Sequence, residues 1–211
     1  MHKLIWLLLI LASRLPLSAQ YPGYTLLPDL SLFKEQLSSA AKNTNSIKSD
    51  FVQEKTLSML SEKIISKGKF WFRKNNQVRM EYIHPFQYLM IINGDKVLIK
   101  DGQKQNTISV KSNKLFQQIN KITVDCVQGT FLNNTDFKTR IFESKNNYLI
   151  ELSPVSKALK DYFKTINVVV DSKNYSIITI EMNENSGDDT LIRFTNKELN
   201  STIPDATFTI D

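Results

Sequence analysis

Gly68-Lys69-Phe70-Trp71-Phe72-Arg73-Lys74-Asn75-Asn76-Gln77-Val78-Arg79-Met80-Glu81-Tyr82, running through Ile83-His84-Pro85 to Tyr88-Leu89-Met90-Ile91-Ile92-Asn93-Gly94-Asp95-Lys96-Val97-Leu98-Ile99-Lys100-Asp101-Gly102, carries the patterning from which the architecture follows. Aromatic and β-branched runs alternate with polar breaks, and Asn93-Gly94 marks a tight hairpin, so these residues read as consecutive antiparallel strands. Side chains two apart share a strand face. Val78, Met80 and Tyr82 therefore lie on one face and Arg79 and Glu81 on the other. Tyr88, Met90 and Ile92 repeat the pattern, as do Ile178, Ile180 and Met182, then Ile192 and Phe194. Such a face either fills the protein's own core or receives hydrocarbon from a ligand, and methionines favour an adaptable surface.

On the N-terminal side, Leu32, Phe33, Gln36, Leu37, Ala40 and Ala41 recur at helical spacing behind Ser31, which reads as the N-cap. Strands are predicted over 49–56 and from 62 into Gly68. After Gly102 the character breaks: Leu115, Phe116, Ile119 and Ile122 fall on one side of a short helix within an insert of about 112–132. Strands resume at 137–142, 148–152, 162–171, 175–184 and 190–198, with 207–210 as a last candidate. The reading is a mainly β (α+β) chain of about ten or eleven antiparallel strands, a sheet that must curl, with two helices to cover one face.

The 211 residues bound this to one domain with a leader. Lys3, the apolar run Leu4 to Ala12 and the small pair Ser18-Ala19 fit a secretory signal peptide over 1–19 cut near Ala19. The expectation is an exported single domain over 20–211. Cys126, the one cysteine, leaves no partner for an internal disulfide and stands far from the leader's end, so a lipid-anchoring cysteine is not available. It reads as a small buried apolar residue. The net charge of +6 is mild and its lysines are scattered, which argues against a nucleic-acid partner.

The catalytic inventory is poor. His2 falls in the leader, leaving His84, beside Pro85 in a turn. One histidine and one distant cysteine build no metal cluster, no Gly-x-Ser-x-Gly elbow is present, and the glycines are isolated turn residues. Asp188 and Asp189 read as a solvated turn. No catalytic residue, metal or cofactor is expected.

Asp50-Phe51-Val52-Gln53-Glu54-Lys55, Gly68-Lys69-Phe70-Trp71-Phe72-Arg73-Lys74, Val78-Arg79-Met80-Glu81-Tyr82 with Pro85, the hairpin Asn93 to Leu98 and Phe194-Thr195-Asn196 resemble, in order and spacing, the periplasmic lipoprotein carrier family LolA. The resemblance covers essentially the whole chain after the leader. It implies an unclosed antiparallel barrel with a helical lid over a hydrophobic cavity. It further implies a soluble monomer of the periplasm, which carries acylated lipoproteins from an inner-membrane exporter to an outer-membrane acceptor. On this chain the implied cavity wall is Phe70, Phe72, Val78, Met80, Tyr82, Met90, Ile92, Ile178 and Ile180, and the implied lid is Leu115, Phe116, Ile119 and Ile122. Where family members carry a lid-latching Arg followed by Pro, this chain has Lys74 followed by Asn75, with Arg73 before it; lysine makes fewer and less rigid hydrogen bonds. A same-fold carrier for another lipid or a pigment precursor, and a lipid-sensing regulator, stay open beside this reading. An exported hydrolase is the reading the inventory supports least.

Overall fold

A computed structural model describes residues 21–102, 104–109, Ile122, Asp125 and 130–210. The expected leader over 1–19, Cys126, and the expected lid positions Leu115, Phe116 and Ile119 lie outside the described residues. The chain enters with a two-residue strand β1 (Thr25–Leu26) and helix α1 (Ser31–Asn43). Six strands follow: β2 (Ser46–Leu57), β3 (Glu62–Arg73), β4 (Gln77–His84), β5 (Tyr88–Asn93), β6 (Lys96–Asp101) and β7 (Lys104–Ser109). A 3₁₀ turn at Thr130–Asn133 leads to β8 (Phe137–Glu143) and β9 (Asn147–Pro154), and a helical turn at Lys157–Lys160 leads to β10 (Phe163–Asp171), β11 (Ile177–Glu184) and β12 (Asp189–Leu199).

All twelve strands form one sheet in the order β1-β8-β9-β10-β11-β12-β2-β3-β4-β5-β6-β7. Most neighbours are joined by hairpins, so the antiparallel ladder follows from local turns. The antiparallel β12–β2 pair, with Phe194 opposite Phe51, joins the late strands to the early ones. The sheet is not closed, because β1 and β7 stand at its two ends.

The strand set differs from expectation in three places. Thr25–Leu26 pairs with Phe142 and Glu143 although two residues show no periodicity. Lys104–Ser109 continues the meander beside β6, despite the polar composition that read as a break. Residues 205–208 form a 3₁₀ turn instead of a last strand, after Pro204, which cannot donate to a ladder. Helix α1 starts at Ser31, but Leu30 is its N-cap and makes no side-chain cap bond. Asp29 Oδ1 instead accepts a hydrogen bond from the Ser31 amide at 2.9 Å. Leu32, expected on the buried stripe, is 67 % exposed, and Phe33 and Leu37 are the buried anchors.

The sheet has an apolar layer on each face. On the inner face one cluster gathers Phe33 and Leu37 of α1 with side chains from β2 to β6 and β8 to β12. Phe33 meets Tyr148 edge-on at 4.8 Å, and Tyr148 stacks on Tyr175 at 5.8 Å. These rings place α1 over the end of the sheet that carries the turns at 74–76, 144–146 and 172–175. On the outer face, Ile91 and Leu98 lie beneath Ile203 and Phe208 of the C-terminal segment.

Arg73 pins that segment. Its guanidinium pairs with Asp205 at 2.6 Å, donates to the Ile203 carbonyl at 3.2 Å and lies over the Phe208 ring at 5.1 Å. Arg79 adds a bond to the Thr207 carbonyl at 3.3 Å. Asp205 is almost fully exposed, so the ion pair itself contributes little. Arg73→Ala is therefore expected to lower global stability by about 1 kcal/mol while loosening the segment. Limited proteolysis should then cut between residues 200 and 210 faster than in the parent protein; an unchanged cutting rate would refute the clamp.

Candidate functional site

The inner wall is built from strand alternation. On β3, residues facing inward are buried and their neighbours exposed over most of the strand, which puts Phe70 and Phe72 inside. On β4 and β5 the same rule places Val78, Met80, Met90 and Ile92 on the inner face. Cross-strand pairing stacks them in rows: Phe70 opposite Met80 opposite Met90, and Phe72 opposite Val78 opposite Ile92. Across β2, Phe70 meets Phe194 of β12 edge-on at 5.3 Å.

One sequence-predicted residue falls away from this wall. Ile178 is half-buried and stands outside the inner cluster, whereas Ile177 and Ile180 belong to it. The cause is a register irregularity between Val169 and Val170, where the partner steps from Thr179 to Ile177. A bulge shifts the alternation by one residue, so Ile177 takes the inward place.

Several wall residues are not sealed. Tyr82, Met90, Ile99 and Met182 pack against the inner cluster while remaining only partly buried. Tyr82 makes an edge contact with Phe51 at 4.9 Å and with Tyr88 at 5.5 Å, and its hydroxyl donates to Gln53 Oε1 at 2.8 Å. Burial, then the neighbouring Tyr88, holds the Tyr82 pKa well above the usual tyrosine range, so the hydroxyl stays neutral. A groove of about 280 Å³ opens at this end, lined by Tyr82, Tyr88, Ile83, Leu89 and Lys100 among others.

Of the lid set, Ile122 is described: it is helical, buried and part of the inner cluster, joined there by Phe131 and Leu132. The two latch candidates each have partners among the described residues. Lys74 Nζ donates to the Lys42 carbonyl at 2.6 Å, at the last turn of α1, and Arg73 faces outward to the C-terminal segment. Adjacent strand residues point to opposite faces, which separates the two. His84 ends β4 at an exposed turn, and Asp188 accepts from the Ser58 amide at 2.9 Å, tying two hairpins together. Among the described residues no group of three metal-ligating side chains forms.

Sequence reading missed Phe51, which sits at the centre of the wall facing Gly68 and Phe194. Its signal was present, since Phe51 alternates with Ser49 and Gln53 on the inner face of β2. It also missed Ile177, Phe131 and the Tyr148–Tyr175 pair, which depend on a bulge or on contacts distant in sequence.

An unclosed antiparallel sheet with a largely apolar inner wall, one helix across one end and an insert whose Ile122 and Phe131 return to that wall defines a class of open β folds with a hydrophobic inner face. The family model described as outer membrane lipoprotein carrier protein LolA matches residues 42–211. The chain belongs to the LolA family. A search of the curated proteins finds no match. Among solved structures, an uncharacterized conserved protein from Thermus thermophilus aligns with a TM-score of 0.52 at 8 % identity, over 84 % of this chain and 92 % of that one. The Pseudomonas aeruginosa MucA/MucB complex aligns with a TM-score of 0.51 at 11 % identity, over 84 % of this chain and 59 % of that one. A LolA superfamily protein from Nitrosomonas europaea gives 0.49 at 10 % identity, over 84 % and 97 %. At such identities these likenesses concern the fold.

Proposed function

We propose that the protein is a periplasmic carrier that shields the acyl chains of lipoproteins between an inner-membrane exporter and an outer-membrane acceptor. The observation that carries this reading is the half-open inner wall: Tyr82, Met90, Ile99 and Met182 line an apolar cluster without being sealed by it. A core serving the fold alone would close over such side chains, since burying each one completely is favourable by roughly 1.5–3 kcal/mol. The family match supplies the direction of the inference, from apolar wall to acylated cargo. Ile122 and Phe131 support the insert as its cover, because both are buried in the inner cluster.

The need for a cover is energetic. An acyl chain of ~14 methylenes, at ~0.8 kcal/mol each, would cost about 11 kcal/mol to hold in water. The carrier must supply that shielding during transit and withdraw it at the acceptor, which suits a cavity closed by a movable lid better than a solid core.

Purifying the exported protein from its own cells, extracting it with organic solvent and identifying the extract by mass spectrometry tests the reading. Acylated lipoprotein peptides are expected. A pigment precursor or an unrelated lipid would redirect the cargo assignment, and an empty extract from protein made with the lipoprotein pathway running would refute a carrier. Met80→Lys places an ammonium in the inner wall beside Phe70 and Met90. It is expected to abolish acyl-chain binding; Met90→Lys, at a half-buried wall position, should do the same with less effect on the melting temperature. Retained binding in both would place the ligand off this face.

A further inference from the structure

The inner wall is not apolar throughout. Beyond Phe51, toward the end of the sheet away from α1, three polar side chains face inward on adjacent strands: Gln53 of β2, Ser66 of β3 and Thr190 of β12. Gln53 stands directly opposite Ser66, and Thr190 stands opposite Lys55, one inward position along β2 from Gln53. Directly opposed residues have Cβ atoms about 5 Å apart and diagonal neighbours on one face about 7 Å, so the three form one compact group.

Ser66 and Thr190 are each 6 % exposed. Among the described residues neither hydroxyl has a hydrogen-bond partner. Gln53 Oε1 is occupied by the Tyr82 hydroxyl at 2.8 Å, which leaves both N–H groups of its Nε2 unspent. Ser49 Oγ, deeper on the same face, is also unpartnered but has no accessible surface and is not placed to meet a ligand. None of these polar atoms is fully enclosed, so each can be reached by a ligand, whereas valine or alanine at these positions would serve a purely structural wall at least as well. The group has the character of donors held in reserve.

The charge around it selects the ligand chemistry. Lys55, the nearest inward-facing cation among the described residues, is paired with Glu184 at 3.3 Å, which leaves the described part of the station neutral. Neutral donors without a free cation suit neutral carbonyl acceptors and disfavour a phosphate or carboxylate, which would need a counter-charge when desolvated. Toward α1, apart from the enclosed Ser49, the wall is lined by the rings of Phe51, Phe70, Phe194 and Phe72. The distance between acceptor and hydrocarbon in the ligand must therefore be short. Ester carbonyls at the root of acyl chains have that arrangement.

We infer that Gln53, Ser66 and Thr190 form a hydrogen-bonding station for the ester carbonyls of a diacylglyceryl group, which orients the lipid with its chains toward α1 and its head toward the opposite end. This rests on the carrier reading above and makes the carrier selective for how the chains are attached, beyond their hydrocarbon content. Ether-linked chains of equal length would fill the wall but leave the donors unpaired.

The test compares dioctanoylglycerol with its diether counterpart, dioctylglycerol, as displacers of a fluorescent apolar probe from the full-length exported protein. The ester is expected to bind about tenfold more tightly, the size of roughly one to two net hydrogen bonds. In the variant combining Gln53→Leu, Ser66→Ala and Thr190→Val, ester affinity should fall to within about twofold of the ether, with ether affinity retained. Independently of any variant, the infrared carbonyl stretch of isotope-labelled dioctanoylglycerol should move to lower frequency on binding to the parent protein. Equal affinity for the two lipids, a preference that survives the triple substitution, or a carbonyl stretch like that in hydrocarbon solvent would each overturn the station while leaving the carrier intact. Displacement by neither lipid would overturn the carrier reading as well.

Discussion

Gly68→Ala is expected to destabilise the protein by about 3 kcal/mol, the upper part of the usual range for forcing extra volume into a packed interior. The reason is space and not backbone freedom. A Cβ at Gly68 would lie 2.1 Å from the Glu81 carbonyl oxygen and 2.6 Å from Cζ of Phe51. The carbonyl is backbone and cannot swing aside, and the Phe51 ring is held edge-on by Tyr82 at 4.9 Å. The register between β3 and β4 already shifts between Lys67 and Gly68, so the ladder bends where it would need to widen. Urea titration followed by circular dichroism would measure the loss. A drop below about 1 kcal/mol would mean that β4 moves away at little cost, contrary to a rigid wall. Because Phe51 separates Phe70 and Phe194 from the Gln53 group, the same substitution should also distort ligand binding in whatever fraction remains folded.

Glu151→Gln is the second large effect. Glu151 lies on the outer face of β9 and is 1 % exposed. Arg140 grips it through several bonds of 2.7 to 2.9 Å, the Tyr21 hydroxyl donates to it at 2.6 Å and Ser153 at 3.2 Å. Tyr21 continues the network to Asn167, whose amide donates to Glu181 at 2.9 Å. Glutamine keeps the shape but loses the charge and turns an N–H toward groups that are themselves donors, so a loss of about 2–3 kcal/mol is expected at neutral pH. Burial pushes the Glu151 pKa up, but the hydrogen bonds from Tyr21 and Arg140 more than offset it and hold the carboxyl below its ordinary value. A carboxyl with a depressed folded pKa stabilises the fold above its unfolded pKa of about 4.3, and that stabilisation fades as pH falls through the folded value. The gap between parent and variant should thus be full at pH 7 and shrink below about pH 4. Denaturant midpoints across that range would show it; a gap independent of pH would assign the loss to packing instead of charge.

Much of the wall was legible because alternation on a strand is a local property. Val78, Met80 and Ile92 follow from spacing and Phe70 and Phe72 from the family resemblance, and all five share the inner face in the structure. Spacing failed where the ladder is irregular: a bulge at Val169–Val170 exchanges Ile178 for Ile177, and nothing in the Ile177-Ile178 dipeptide announces it. It failed again where partners are distant in sequence. Thr25 and Leu26 become a strand only because Glu143 and Phe142 offer an edge, and Arg73 has a role only because residues 203–208 fold back over it. The Glu151 network escaped notice for the same reason, since its members come from five separated stretches of chain. Nothing in the sequence joins Gln53, Ser66 and Thr190, which come to one face only through the pairing of β2 with β3 and β12.

The sheet ends at β1 on one side and β7 on the other, without a ladder between them. A closed barrel has its girth set by strand number and stagger, and widening it breaks hydrogen bonds along a seam. This sheet has no such seam between its end strands. Changing the distance between β1 and β7 would therefore be resisted by side-chain packing and strand twist rather than by broken backbone pairs between them, as in a cupped hand rather than a ring.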